Sequence, residues 1–346
     1  MKSINRQSLK RLTIVFIAIV AVVTLASGCA GNSQNSRKNN PGKVESITVG
    51  MEATSVNSLI YIAESQKYFE ANGLKVTIKD DYPSGAIAAE GMLKGEVDVA
   101  TAAELAIVRQ AFAQQDIQTL GSIDMFMHMK LIGRKDLGIE NISDLKGKRI
   151  GVPLKSAADF QLGRFLDLHD LDKDEISIVD IQAPQAVDAL INGEVDAVVA
   201  WQPNVLALKD RLGDQANIWS VQSGQPMYCA VVTTDKLATE NPEAIKRFLN
   251  SLEQAEAYLI QNPVKGRAIV QKRLGYDDRY IKTIWPEHEF SLRLDQSLIL
   301  AMEDQARWMI TNNLTAEKTV PDFLDYIYED ALKVVKPKSV NIIRVE

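Results

Sequence analysis

The 346-residue chain has three histidines, two cysteines and 6% aromatic residues. His128, His169 and His288 are scattered, with neither His-x-x-x-His nor Cys spacing, so the pattern offers no zinc site. Cys29 follows an apolar leader and Cys229 lies in an apolar run, which leaves no intramolecular disulfide and reads Cys229 as a small buried hydrophobe. There is no Gly-x-Gly-x-x-Gly fingerprint and no Gly-x-Ser-x-Gly elbow, and the run DLKGKR at 144–149 is not a phosphate loop. No catalytic residue, metal or cofactor is therefore expected. Acid is missing from the first 43 residues, which hold seven Lys and Arg, leaving 32 basic against 45 acidic side chains in the remainder, a net −13. A body that acidic repels phosphate backbones, so nucleic acid is excluded as a partner.

What is present is ordinary globular composition, 46% hydrophobic and 24% charged, in a length that suits about two domains. Lys2, Arg6, Lys10 and Arg11 precede the apolar run LTIVFIAIVAVVTLA at 12–26. Fifteen helical residues span about 22 Å, short of the roughly 30 Å hydrocarbon core, so the pattern is an export signal rather than an anchor. It ends in Leu25-Ala-Ser-Gly-Cys29, which resembles a bacterial lipobox with Ala26 in place of Leu three positions before the cysteine. That resemblance implies cleavage after residue 28 and lipidation of Cys29. The segment GNSQNSRKNNPG at 31–42 has no apolar side chain to bury and reads as part of a flexible tether over 29–43.

The body repeats itself. Met92-Leu-Lys-Gly-Glu-Val-Asp98 matches Leu190-Ile-Asn-Gly-Glu-Val-Asp196, and upstream Ile47-Thr-Val-Gly aligns with Ile150-Gly-Val-Pro. Between these anchors both copies run strand, amphipathic helix (58–69; 157–168), strand (74–78; 176–181), helix (84–93; 184–191) and a third strand entered through Gly-Glu-Val-Asp. The order predicts two parallel-sheet α/β units. Asn241-Pro242 supplies an N-cap and an N1 proline for a helix reaching about residue 261. Further helices fit 264–274, 278–284, 294–311 and 320–335.

Ligands of open α/β sheets bind beyond the carboxyl ends of the strands, where helix starts present free N–H groups. Four such loops carry candidates: Glu52, Ala53 and Ser55; Ser84 and Gly85; Thr101, Ala102 and Glu104; and Lys155, Ser156 and Asp159. Thr101–Glu104 and Ser156–Asp159 have capping-box spacing. Trp201 and Gln202, after the third strand of the second unit, add a flat apolar wall with one N–H donor. His128 and Tyr228 fall near the expected crossings between the units. Simple capping or core packing is the competing reading for each of these residues.

The order of Ile47-Thr-Val-Gly, Leu59-Ile-Tyr-Ile-Ala-Glu-Ser-Gln-Lys-Tyr-Phe-Glu-Ala-Asn-Gly-Leu-Lys-Val76, Leu145-Lys-Gly-Lys-Arg-Ile-Gly-Val-Pro153, the two Gly-Glu-Val-Asp segments, Trp201-Gln-Pro203 and Leu292-Arg-Leu-Asp resembles the solute-binding proteins of ABC importers for nitrate, sulfonates and taurine, a family that includes binders of thiamine-related pyrimidines. The resemblance covers most of residues 44–312. It implies a type II periplasmic-binding fold: two α/β lobes, a ligand cleft, two hinge crossings and a helical C-terminal part. Lobe 1 would comprise 44–124 and 224–346, and lobe 2 would comprise 125–223. The implied partners are a small-molecule solute, an ABC permease and its ATPase, for a monomer held to the outer face of a membrane by lipid alone.

The solute stays open at this point. A sulfonate or nitrate would use the helix starts with Lys155, whereas Glu52, Glu104 and Asp159 would repel a pure anion and suit an amine. Taurine or an amine-bearing pyrimidine satisfies both sets. Besides transport, the same module could serve a surface sensor. The fold also serves a pyrimidine synthase that consumes its own His and needs a Cys-rich iron site, to which a single body cysteine is ill suited.

Overall fold

The computed structural model describes residues 45–222 and 224–344. The leader, the lipidation position at Cys29 and the tether lie outside the described residues. No helix of the described residues is long and apolar enough to cross a membrane. The chain begins with β1 (Glu45–Gly50), α1 (Ser58–Ser65), α2 (Tyr68–Ala71), β2 (Leu74–Lys79), α3 (Gly85–Leu93), β3 (Val99–Ala103), α4 (Glu104–Phe112) and β4 (Gln118–Phe126). A second set follows: β5 (Lys130–Arg134), β6 (Arg149–Val152), α5 (Ala157–Leu168), β7 (Ser177–Asp180), α6 (Ala186–Ile191), β8 (Ala197–Ala200), α7 (Asn204–Leu212) and β9 (Ala216–Ser220). The chain then forms β10 (Met227–Thr233), α8 (Asp235–Glu240), α9 (Pro242–Gln261), α10 (Pro263–Leu274), α11 (Asp278–Ile284), β11 (His288–Asp295), α12 (Gln296–Thr311), α13 (Asp330–Val335) and β12 (Val340–Asn341).

Two sheets result, a seven-stranded one in the order β12-β11-β4-β10-β3-β1-β2 and a five-stranded one in the order β7-β6-β8-β5-β9. Within each, the repeat strands are parallel: β1 pairs β2 and β3, and β6 pairs β7 and β8. Antiparallel strands extend both sheets, β10 between β3 and β4 and β5 between β8 and β9. Strands before residue 127 and after 226 belong to the larger sheet, and those from 130 to 220 to the smaller. The chain therefore crosses at 127–129 and at 221–226.

The Gly-Glu-Val-Asp motif has two local jobs. Gly95 and Gly193 sit at φ +77° and +75°, just beyond α3 and α6, the left-handed helix stop that a side chain would strain. Asp98 and Asp196 then lock the third strand to the first. The Asp98 carboxylate accepts the Thr48 N–H at 2.7 Å while its own N–H donates to the Thr48 carbonyl; Asp196 does the same with Arg149 at 2.8 Å. This lock makes Thr48 the counterpart of Arg149 and Val49 that of Ile150. The alignment of Ile47 with Ile150 is therefore two residues out of register.

Most helices arise from apolar residues at helical spacing. Ile245, Phe248, Leu249, Leu252, Ala255 and Leu259 give α9 its buried stripe, with Phe248 stacked 5.4 Å from Phe69. Pro242 stands at its N1 position, but Asn241 makes no side-chain cap. Four other expectations are corrected. The helix over 58–69 breaks at Lys67, which is left-handed. Residues 320–335 are not one helix but a 3-10 turn at Phe323–Tyr326 followed by α13. The helix expected over 294–311 starts only at Gln296, because 288–295 form β11, whose alternating Leu292 and Leu294 are buried. Thr101 does not cap a helix: it lies inside β3 opposite Val231, and α4 starts only at Glu104.

Candidate functional site

In lobe 1 the turn after β1 is drawn toward the sheet end by Asn57, whose amide donates to the Glu52 carbonyl at 2.8 Å. Glu52 is half-buried, and burial raises its carboxyl above the usual range. Its backbone bridges to Asp81, while burial is the one cause of that rise and no lysine, arginine or histidine among the described residues pairs with its carboxylate. Ala53 is exposed and Ser55 is buried at the start of a 3-10 turn. Ser84 caps α3, accepting the Ile87 N–H at 3.3 Å. Gly85 is required by packing: a Cβ there would meet the Thr101 carbonyl oxygen at 2.8 Å, so its bareness lets α3 close on β3. Thr101 and Ala102 are buried in β3.

Glu104 and Tyr228 meet each other in the interior. The fully buried Glu104 carboxylate accepts the Tyr228 N–H at 2.9 Å and the Gln305 amide at 2.8 Å, and burial pushes its carboxyl up to about 7. His128 lies just past β4 with its ring 4.6 Å from Phe126, and burial lowers it to about 3, with His288 and Lys130 adding to this.

In lobe 2, Ser156 caps α5, accepting the N–H groups of Ala158 and Asp159 at 3.1 and 3.4 Å. Asp159 closes back on the Lys155 N–H at 2.9 Å, one residue outside the predicted box. Lys155 is exposed at φ +60°, and its carbonyl accepts the Arg109 guanidinium of α4, joining the two lobes. Trp201 is half-buried against the core, and Gln202 accepts the Leu206 N–H at 3.2 Å at the start of α7. Two further ties span the lobes, Arg164 to Asp304 at 3.3 Å and Arg279 to Asp210 at 2.8 Å.

The structure also assembles residues that the sequence did not single out. Asp124 on β4 sits 2.6 Å from His288 Nδ1, and His288 Nε2 sits 3.0 Å from the Ser55 hydroxyl. Beside them the Cys229 thiol donates to Asn57 at 3.8 Å, and burial raises that thiol well above its usual value. Tyr276, packed edge-on to Tyr280 at 4.6 Å, is raised by burial, then by Tyr280 and the nearby Glu52 carboxylate. Separations of 164 and 233 residues put the Asp124–His288 and Ser55–His288 contacts beyond any local motif. Two surface cavities, of 640 and 420 Å³, lie away from these loops; the larger is lined by Tyr61, Lys265, Lys272 and Arg273.

Two α/β lobes joined by two crossings are the architecture of the type II periplasmic-binding fold. The periplasmic aliphatic sulphonate-binding protein SsuA of Escherichia coli superposes with a TM-score of 0.70 at 17% identity, over 82% of this chain and 97% of its own. The model of the NMT1/THI5-like family matches residues 55–266, more than half of the chain, and the chain belongs to that family. A Bacillus subtilis protein provisionally named an aliphatic sulfonates-binding protein is 26% identical over 69% of this chain and 72% of its own. The taurine-binding periplasmic protein of Escherichia coli is 28% identical over 53% and 57%. An enzyme is also similar, the 4-amino-5-hydroxymethyl-2-methylpyrimidine phosphate synthase of Aspergillus parasiticus, at 25% over 61% and 65%.

Proposed function

We propose that this solute-binding protein captures an amine-bearing small solute between its lobes and hands it to an ABC permease, while a lipid on Cys29 holds it at the outer face of a membrane. Glu52 carries the solute class. It is a half-buried carboxylate at the carboxyl end of a central parallel strand, without a cationic partner among the described residues. An ammonium or amino group of the solute would supply one, in a charge-assisted hydrogen bond. Helix starts at Ser84 and Ser156 can take the solute's electronegative end, so a taurine-like zwitterion or an aminopyrimidine fits better than nitrate or a simple sulfonate.

Lobe 1 (44–124 and 224–346) would carry Glu52 and Ser55, and lobe 2 (125–223) would bring Lys155, Ser156 and Trp201 over the solute. Affinity then comes from enclosure, and lobe closure is the state the permease reads. Calorimetry on residues 44–346 with taurine, ethanesulfonate, 4-amino-5-hydroxymethyl-2-methylpyrimidine and its 4-oxo analogue tests the reading. Binding confined to the amine-bearing members supports it, and binding of ethanesulfonate as tight as taurine refutes it. Palmitate labelling in cells that is lost in Cys29→Ser tests the anchor.

A further inference from the structure

We infer that Ser55 selects solutes by the sense of its hydrogen bond, and that Asp124 and His288 are positioning residues that fix that sense. The proposal rests on the amine reading above. Three side chains stand in series: the Asp124 carboxylate 2.6 Å from His288 Nδ1, and His288 Nε2 3.0 Å from Ser55 Oγ. All three residues are almost wholly withdrawn from water, with side-chain exposures of 2% and 0% for His288 and Asp124 and a residue exposure of 6% for Ser55.

A carboxylate only accepts, so it draws the single proton of a neutral imidazole to Nδ1. Nε2 is then a bare lone pair, and its partner among the described residues is the Ser55 hydroxyl. The hydroxyl proton is then committed to His288, and the Ser55 lone pairs would be left for a solute at the loop that Ser55 shares with Glu52. Ser55 and Glu52 would both accept, an arrangement that rewards an N–H donor and penalises a sulfonate or carbonyl oxygen. If the imidazole proton moved to Nε2, Ser55 would accept from His288 and free its own proton to donate, and the preference would reverse. The groups facing the pair are His128 and Lys130 from the first crossing, Glu287 and Glu289 flanking His288, and Cys229 on β10. Lys130 pairs with Glu287 at 3.4 Å and Glu289 with Arg293 at 2.9 Å, so the Asp124–His288 contact itself decides where the proton sits.

The chain can be read without any solute. Nitrogen-15 NMR of His288 in the wild-type protein at pH 8 is expected to show hydrogen on Nδ1 and none on Nε2; hydrogen on Nε2 overturns the proposal. In Asp124→Asn the amide becomes a donor to Nδ1 and moves the imidazole proton to Nε2. The affinity ratio of taurine to ethanesulfonate, or of the aminopyrimidine to its 4-oxo analogue, should then fall at least about tenfold. A folded Asp124→Asn protein that carries hydrogen on Nε2 with an unchanged ratio overturns the proposal, as does one whose amide oxygen keeps the proton on Nδ1 while the ratio falls. Should that variant not fold, the wild-type tautomer decides alone. A wild-type protein that shows the Nδ1–H tautomer but binds neither amine refutes the amine reading, while leaving the proton arrangement in place.

Discussion

The side-chain amide of Gln222 accepts the N–H of Met129 at 2.8 Å, binding the second crossing between the lobes to the first. The same amide donates to the Phe126 carbonyl at 2.9 Å, and the residue is fully buried. Gln222→Ala would strand an N–H and a carbonyl in the interior, at a cost of roughly 2–4 kcal/mol. Urea unfolding should show a lower midpoint with an unchanged slope. An unchanged midpoint would mean that the crossings are held together by other contacts.

Glu104 makes stability depend on pH with an unusual sign. Burial raises its carboxyl from an ordinary 4.5 to about 7, and that of Asp124 from 3.8 to about 6. The folded state therefore holds these protons more tightly than the unfolded chain does. The stabilisation is complete below the ordinary values and is lost as pH rises through 6 to 7. Melting temperature should fall from pH 5 to pH 8, and Glu104→Gln should flatten that fall and melt higher at pH 8. Its amide can keep the Tyr228 bond and donate to the side-chain oxygen of Gln305, which has no partner among the described residues. An unaltered pH slope in Glu104→Gln would assign the dependence to other groups.

Arg164 on α5 and Asp304 on α12 join the lobes at the surface, where such pairs contribute about 0.5 kcal/mol. Arg164→Ala should weaken solute binding roughly twofold at low salt, an effect that vanishes at 0.5 M salt. A salt-independent loss would show that Arg164 acts through its packing on Phe160, whose ring centroid lies 5.8 Å from the guanidinium.

Serine, imidazole and carboxylate in series also describe a hydrolase. Ser55 is buried, at 6% exposure, so a fluorophosphonate probe, bulkier than the solutes named above, is expected to leave it unlabelled. Stoichiometric labelling that disappears in Ser55→Ala would identify an acyl-transfer enzyme instead of a carrier.

The two β-α-β-α-β units were legible because their signals are local: apolar runs, capping Ser84 and Ser156, and a Gly that ends each second helix. The strand β11 is masked in the sequence although Phe290, Leu292 and Leu294 alternate, because the helical stretches around it dominate that region. In the repeat, the loop positions of Glu52 and Lys155 could be read from strand ends. The partners of those loops could not. His288 reaches Ser55 only because β11 pairs β4 antiparallel, a long-range registration that places it opposite Phe126. Glu104 shows the opposite failure: a helix-start acid in sequence, it is sealed by Tyr228 and Gln305 from elements more than a hundred residues away.

The amine reading is tested most directly by titrating refolded wild type and Glu52→Gln with each amine-bearing solute and its amine-lacking analogue. Wild type should favour one amine over its analogue, and Glu52→Gln should lose roughly tenfold or more of that preference, the range of a hydrogen bond to a charged group. Equal wild-type affinity for the two members of the pair, unaltered by Glu52→Gln, would contradict it.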